Sequence, residues 1–301
     1  MTTFLLLTAI TILFPHDAVA WGGGIHLQTG VSVLANLSRF EPALAAILNA
    51  YPHDFLYGCI SADITVGKKF THYMLNCHRW KIGQNVLASA ENDRQKACGY
   101  GYLCHLAADV IAHNYYVPYK TMRSFATITM KHAYWEMRFE TFVEKEIWDV
   151  AREVCKTDQA ANDKLMRNVL TPTLFSFATN KRIFNSIMLL SRLEKWQKMM
   201  QTLSDSSRYQ LAETDRDDYL QLTEDTIFSF FENPHTSPLL HADPTGERAL
   251  KTAEAIRKNL RLLYKSGKIS KSEGFEQVES IKSKLRSSIH EPEILQELYR
   301  G

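Results

Sequence analysis

Histidines and carboxylates recur at helical spacing between residues 105 and 136, HLAADVIAHNYYVPYKTMRSFATITMKHAYWE. His105, Asp109 and His113 stand at i, i+4 and i+8, and His132 and Glu136 repeat the i, i+4 step. Residues four apart on an α-helix lie about one turn apart on nearly the same face, so the five side chains can converge on one volume. All five are nitrogen or oxygen donors of the kind Zn²⁺ accepts. One i,i+4 polar pair commonly does no more than stabilise an exposed helix face. Here the donors are interleaved with Leu106, Ala107, Val110, Ile111 and Ala112. Imidazoles and carboxylates in such surroundings need partners, because an unpaired buried charge is costly. The pattern points to a metal centre.

A second group of donors depends on processing. Residues 4–14, FLLLTAITILF, form an apolar run too short to span a bilayer as a helix. Pro15 and the small-x-small site Ala18-Val19-Ala20 follow, so residues 1–20 read as a signal peptide cleaved after Ala20 and the mature chain as secreted or periplasmic. No Lys or Arg precedes the run, which leaves an uncleaved anchor or a plain apolar helix as the competing reading. Cleavage would expose the amine of Trp21, and an unprotonated amine beside its own carbonyl is a good zinc ligand. Gly22, Gly23 and Gly24 then either let the backbone bring His26 close to a metal or act as a terminal linker.

Taken in order, Trp21, His26, the stretch Gly58-Cys59-Ile60-Ser61-Ala62-Asp63, His78, the His105/Asp109/His113 run and the His132/Glu136 pair resemble the zinc-dependent phospholipase C family. That family shares an all-helical fold and a trinuclear zinc site with the S1/P1-type nucleases. The resemblance covers residues 21–136 and implies an all-α, phospholipase C/P1 nuclease-like fold with about three zinc ions. It assigns one zinc to Asp63, His78, His105 and Asp109, and a second to His113, His132 and Glu136. A third falls to the amine and carbonyl of Trp21 with His26, sharing Asp109 as a bridge. Asp63 is also the candidate catalytic residue, orienting or deprotonating water. His72 rivals His78 as a ligand, and the spacing from Asp63 favours His78.

The activity so implied is hydrolysis of phospholipids at a membrane surface by metal-activated water, with no nucleophilic Ser or Cys required. The alternatives are a single-strand nuclease of the S1/P1 type and a secreted zinc-binding interaction protein without turnover. Choline-preferring relatives carry aromatic residues at the positions of Ile64 and Leu75, so a ring cage for a quaternary ammonium is in doubt here. The nucleases place an aromatic residue where Arg79 stands and an aspartate where Glu136 stands, which counts against nucleic acid as substrate. So does a net charge of +2 from 35 basic and 33 acidic residues, which carries no polyanion-binding signature. The five cysteines, Cys59, Cys77, Cys98, Cys104 and Cys155, are odd in number, so at least one is unpaired within the chain, and Cys77 and Cys104 read as small buried hydrophobes.

The elements that must hold these donors read as helices. Periodicity predicts helices over 26–38, 42–50, 72–92 and 94–116, the last stopping before Pro118, with a loop or turn at 53–63 leading to Asp63. One long helix is expected over 125–156, then helices near 161–170, 180–204, 208–231, 245–266 and 271–287. The loop at 232–246, rich in proline, is the natural boundary between a catalytic region, 21–231, and a helical extension, 232–301. The charged segment Lys251 to Arg286 reads as the wet face of two helices, with a membrane-surface role as the sharper alternative.

Overall fold

Helix starts and stops follow the local chemistry of the chain. The computed structural model describes residues 22–64, 77–127, 132–171, 175–205, 211 and 213–300. Its N-terminal part consists of α1 (Gly23–Ala35), α2 (Pro42–Ala50), α3 (Pro52–Ser61), a tight turn at Ala62–Ile64, α4 (Trp80–Ala88) and α5 (Asp93–Ile111). A wide i→i+5 stretch at Ala112–Tyr116 leads from α5 into α6 (Val117–Arg123). Then come α7 (His132–Glu140), α8 (Lys145–Lys156), α9 (Ala160–Val169), α10 (Phe177–Ser191), α11 (Glu194–Asp205) and α12 (Glu213–Glu232). Beyond the turn Pro238–His241 lie α13 (Glu247–Lys265), α14 (Lys271–Ser287) and α15 (Ile294–Arg300). No strand occurs among the described residues, and the fold is all-α.

The centre is α5. The Asn92 side chain caps it by accepting the Gln95 amide at 3.0 Å, and almost every residue from Ala97 to Ile111 is buried. A helix apolar on all sides belongs inside a core. The closest neighbour of α5 is α3, which crosses it at Gly58 and Gly101. A Cβ on Gly58 would fall on the Cys98 carbonyl, and one on Gly101 on the Phe55 carbonyl, so the two backbones touch directly. Around this pair pack α4, α1 and α12, the last contributing Phe230, stacked on Trp80 at 5.2 Å.

Several boundaries differ from the periodicity. Residues 53–61 are helix, not loop, because Pro52 takes the first helical position, where its missing N–H costs nothing. The 94–116 helix does not stop before Pro118. It widens at 112–116 and continues, and the widening relieves the clash of the proline ring with the preceding turn. The single helix expected over 125–156 is interrupted, with turns at 124–126 and 141–142. Ser124 Oγ donates to the Thr121 carbonyl at 2.7 Å and Thr141 Oγ1 to Arg138 at 2.8 Å, side-chain bonds that compete with the helical ladder. The expected 180–204 helix breaks at Arg192 and Leu193, where the Gln197 amide donates to the Ser191 carbonyl at 3.3 Å. Within the expected 72–92 helix, α4 begins only at Trp80, and residues 65–76 lie outside the described residues. The C-terminal helix α15 was not anticipated.

The proline-rich loop at 232–246 is bound to the helices that carry the candidate ligands. Trp80 Nε1 donates to the Ala242 carbonyl at 2.9 Å and Asn114 Nδ2 to that of Asp243 at 2.8 Å. From there α13 packs along α6 and the wide stretch.

Candidate metal centre

Four elements bring donors to one point beside the middle of α5. His105 and Asp109 come from α5, one turn apart; His26 comes from α1; Asp63 comes from the turn ending α3; and His78 precedes α4. All five are at least nine-tenths buried. Ligand atoms of His26, Asp63 and His105 lie within 4.8 Å of one another, and so do those of His78, His105 and Asp109. Asp109 is the hub, its oxygens 3.3 Å from His26 Nε2, 3.4 Å from His78 Nε2 and 3.3 Å from His105 Nε2. His78 Nε2 also lies 3.2 Å from Asp63 Oδ1. The imidazoles of His26 and His105 stack at 3.7 Å.

The protonation pattern suits this group of side chains to a cation. The Nδ1–H of His105 donates to the Cys59 carbonyl at 2.8 Å, and that of His78 to Cys77 Sγ at 3.2 Å, whose thiol in turn faces the Ala62 carbonyl at 3.5 Å. With these tautomers both Nε2 atoms carry lone pairs, yet they face each other at 3.1 Å and both face carboxylates. Both ring nitrogens of His26 and both oxygens of Asp109 are buried without a hydrogen-bond partner. Such groups are costly in isolation, and a divalent cation satisfies them together. Burial, reinforced by His105, pushes the His26 imidazole below its ordinary value. Burial works to raise the Asp109 carboxyl, but the facing His105 and His26 outweigh it and hold it well below the usual range. Neutral imidazole and ionised carboxylate are the forms that bind metal.

The remaining expected ligands are placed differently. His113 follows Asp109 by four residues in the wide stretch, and its Nδ1–H donates to the Pro244 carbonyl at 2.6 Å, which fixes the ring. Glu136 is buried on α7. His113 and Glu136 belong to neither of the two ligand groupings. His132 opens α7, but its side chain lies outside the described residues, as do Trp21, His72 and Leu75. Ile64, next to Asp63, is fully buried. All five cysteines are free thiols.

Three supporting groups escaped the sequence reading. Two are carbonyls, of Cys59 and Pro244, and a carbonyl leaves no signature in residue type. The third is Glu140, one turn after Glu136, which its i+4 spacing could have flagged. Its carboxylate accepts the Gly24 amide at 2.6 Å, and burial pushes its carboxyl up to about 7 against the lowering by the Gly24 and Ile25 amides. The glycines before His26 are thus no linker: Gly23 and Gly24 form the first turn of α1, and a side chain on Gly24 would collide with Glu140 and Trp148. Glu140→Ala should remove that acceptor and cost about 1–3 kcal/mol, with Glu140→Gln, which retains an acceptor oxygen, costing less. Equal unfolding midpoints in urea for Glu140→Ala and the unmodified protein would show that the clamp is not needed.

A family model described as zinc dependent phospholipase C matches residues 25–183, just over half of the 301 residues. The match takes in His26, Asp63, His78, His105, Asp109, His113, His132 and Glu136 and ends within α10. No curated protein and no solved structure matches the chain.

Proposed function

Because the chain belongs to the zinc-dependent phospholipase C family, we propose that it is a secreted hydrolase that splits the phosphodiester of phospholipids, releasing diacylglycerol and the phosphorylated headgroup. The observation that carries this reading is the convergence of three imidazoles and two carboxylates on one buried point. His78, His105 and Asp109 with Asp63 would hold one zinc, and His26 with Asp109 and the amine and carbonyl of Trp21 another. His113, His132 and Glu136 would hold a third. When bound, zinc supplies Lewis acidity, lowering the pKa of a water toward neutrality and offsetting charge on the phosphate.

The protein's own contribution is orientation and protonation state. Cys59, through its carbonyl, fixes the His105 ring and its tautomer, and the Pro244 carbonyl does the same for His113. Asp63, in the short 3₁₀ turn that follows α3, would orient or deprotonate the attacking water. Residues 1–20 act in this reading as a signal peptide, and their removal after Ala20 creates the Trp21 amine. No helix among the described residues is long and apolar enough to cross a membrane.

The test is zinc stoichiometry of a chain beginning at Trp21, followed by assays on phospholipid vesicles and on single-stranded nucleic acid. About three zincs with diacylglycerol release is the expected result. The same chain with an extra Met before Trp21 should hold less zinc and turn over more slowly, since its Trp21 nitrogen is an amide. Nucleotide release without lipid hydrolysis would replace the reading with a nuclease, and bound zinc without either activity with a binding protein.

A further inference from the structure

Among the described residues, large apolar side chains are exposed mostly one at a time, with one exception. Leu189 (41% exposed), Leu190 (39%) and Leu193 (52%) stand within five residues of one another where α10 gives way to α11. The inner side of α10 explains its place. Asn180, Phe184 and Met188 form a buried i, i+4, i+8 line, and α10 packs on α8 and on the turn that carries Asp63. Phe184 and Met188 also close around Gly23, three residues before His26. The exposed leucines therefore begin one residue after a side chain that adjoins the metal-centre elements.

The charges around the leucines are mainly basic. Between residues 189 and 198 stand Arg192, Lys195 and Lys198, all exposed, against one acid, Glu194. Arg192 reaches Asp149 on α8 at 3.2 Å and Lys198 reaches Glu194 at 2.8 Å, but all four side chains are at least 40% exposed. Pairs so exposed are weak and exchange readily for other anions. Exposed leucines accompanied closely in the chain by Arg192, Lys195 and Lys198 are the composition of a surface that inserts apolar groups among acyl chains while its cations meet anionic headgroups. A soluble partner surface would satisfy the leucines equally well, but it gives no reason for their place at the end of the helix that packs on the Asp63 turn.

We propose that the α10–α11 elbow is the membrane-docking tip of the protein, with Leu189, Leu190 and Leu193 entering the bilayer and Arg192 and Lys195 binding anionic lipid. The proposal rests on the phospholipase reading for its biological sense, because a diacyl lipid is presented in a bilayer and the active site must be brought against it. The elbow, at the end of the helix that packs on the Asp63 turn, would supply that contact. The basic α13–α14 segment would not: α13 begins beside His113, but its exposed Leu262 comes 15 residues after Glu247, about 22 Å along the helix.

The experiment measures co-sedimentation of the zinc-loaded protein with vesicles of mixed neutral and anionic phospholipid, beside hydrolysis of vesicle lipid and of a dispersed short-chain phospholipid. Leu189→Ser/Leu190→Ser/Leu193→Ser should weaken vesicle binding by about tenfold or more and slow vesicle hydrolysis alike, with the dispersed substrate turned over at the original rate. Arg192→Glu/Lys195→Glu should weaken binding to anionic vesicles and leave binding to neutral ones nearly unchanged. Undiminished vesicle binding by the leucine variant overturns the proposal. So does a dimer of the unmodified protein in gel filtration that the leucine variant converts to monomer, which would assign the leucines to a second copy of the chain. Vesicle binding that requires the leucines, with hydrolysis of neither lipid, leaves the docking tip standing and removes the phospholipase reading instead.

Discussion

Replacing His105 with alanine should abolish hydrolysis and strip zinc from the centre of the protein. His105 belongs to both donor groupings, stacks on His26 and lies within 3.3 Å of Asp109 and 3.1 Å of His78. Its removal takes a nitrogen from the first zinc and the ring that supports His26 at the other. Loss of an outer partner of a metal ligand commonly costs roughly 10–100-fold, and loss of a direct ligand should exceed that. The variant also leaves Asp109 buried with fewer positive or metal partners, so it should be less stable than the loaded protein at neutral pH. His113→Ala should likewise lower zinc content and activity, whereas His241→Ala, in the turn Pro238–His241 and outside both groupings, should change neither. Zinc content and rate both unchanged in His105→Ala would remove the centre as assigned.

How much of this was legible in the sequence depends on what kind of signal each feature leaves. The His105/Asp109 pair was readable because helical periodicity is local, and a donor pair inside an apolar run is conspicuous without any knowledge of the fold. That His26, Asp63 and His78 close on the same point is a matter of tertiary packing, and it reached the sequence reading only through the family resemblance. Helix continuity was the weakest inference. The helix over 42–50 does end before Pro52, but Pro52 also starts the next one, as proline can at a first helical position, and Pro118 does not end its helix because a wide turn accommodates it. The breaks at 124–126 and 141–142 were missed because hydroxyls that capture nearby carbonyls do not disturb the apolar pattern. Glu140 was overlooked for a related reason: a carboxylate that serves backbone amides on another helix looks, in sequence, like any surface charge.

Gly101→Ala should destabilise the protein severely and take metal binding with it, although Gly101 touches no ligand atom. A methyl at this position meets backbone on α3, the carbonyl of Phe55 and the amide of Cys59, not the tip of a side chain that can turn aside. Over-packing among side chains costs about 1–3 kcal/mol, and an obstacle made of backbone should bring the cost to the upper end or beyond, because two whole helices must part. Their separation has a specific chemical consequence. The Cys59 carbonyl that accepts the His105 Nδ1–H at 2.8 Å is one residue from Gly58 on α3, and His105 is one turn from Gly101 on α5. Moving the helices apart stretches that bond, frees the His105 ring to turn and opens Nδ1 as a competing ligand atom. The measurement is paired: urea unfolding for stability, and zinc affinity under conditions where the variant is still folded. Reduced stability with unchanged zinc affinity would mean that the α3–α5 contact holds the fold but not the His105 ring. Weakened zinc affinity in folded Gly101→Ala, with a smaller loss in a variant such as Gly83→Ala, whose nearest neighbours are the side chains of Leu106, Leu103 and Tyr102, ties the glycine contact to the geometry of the metal centre.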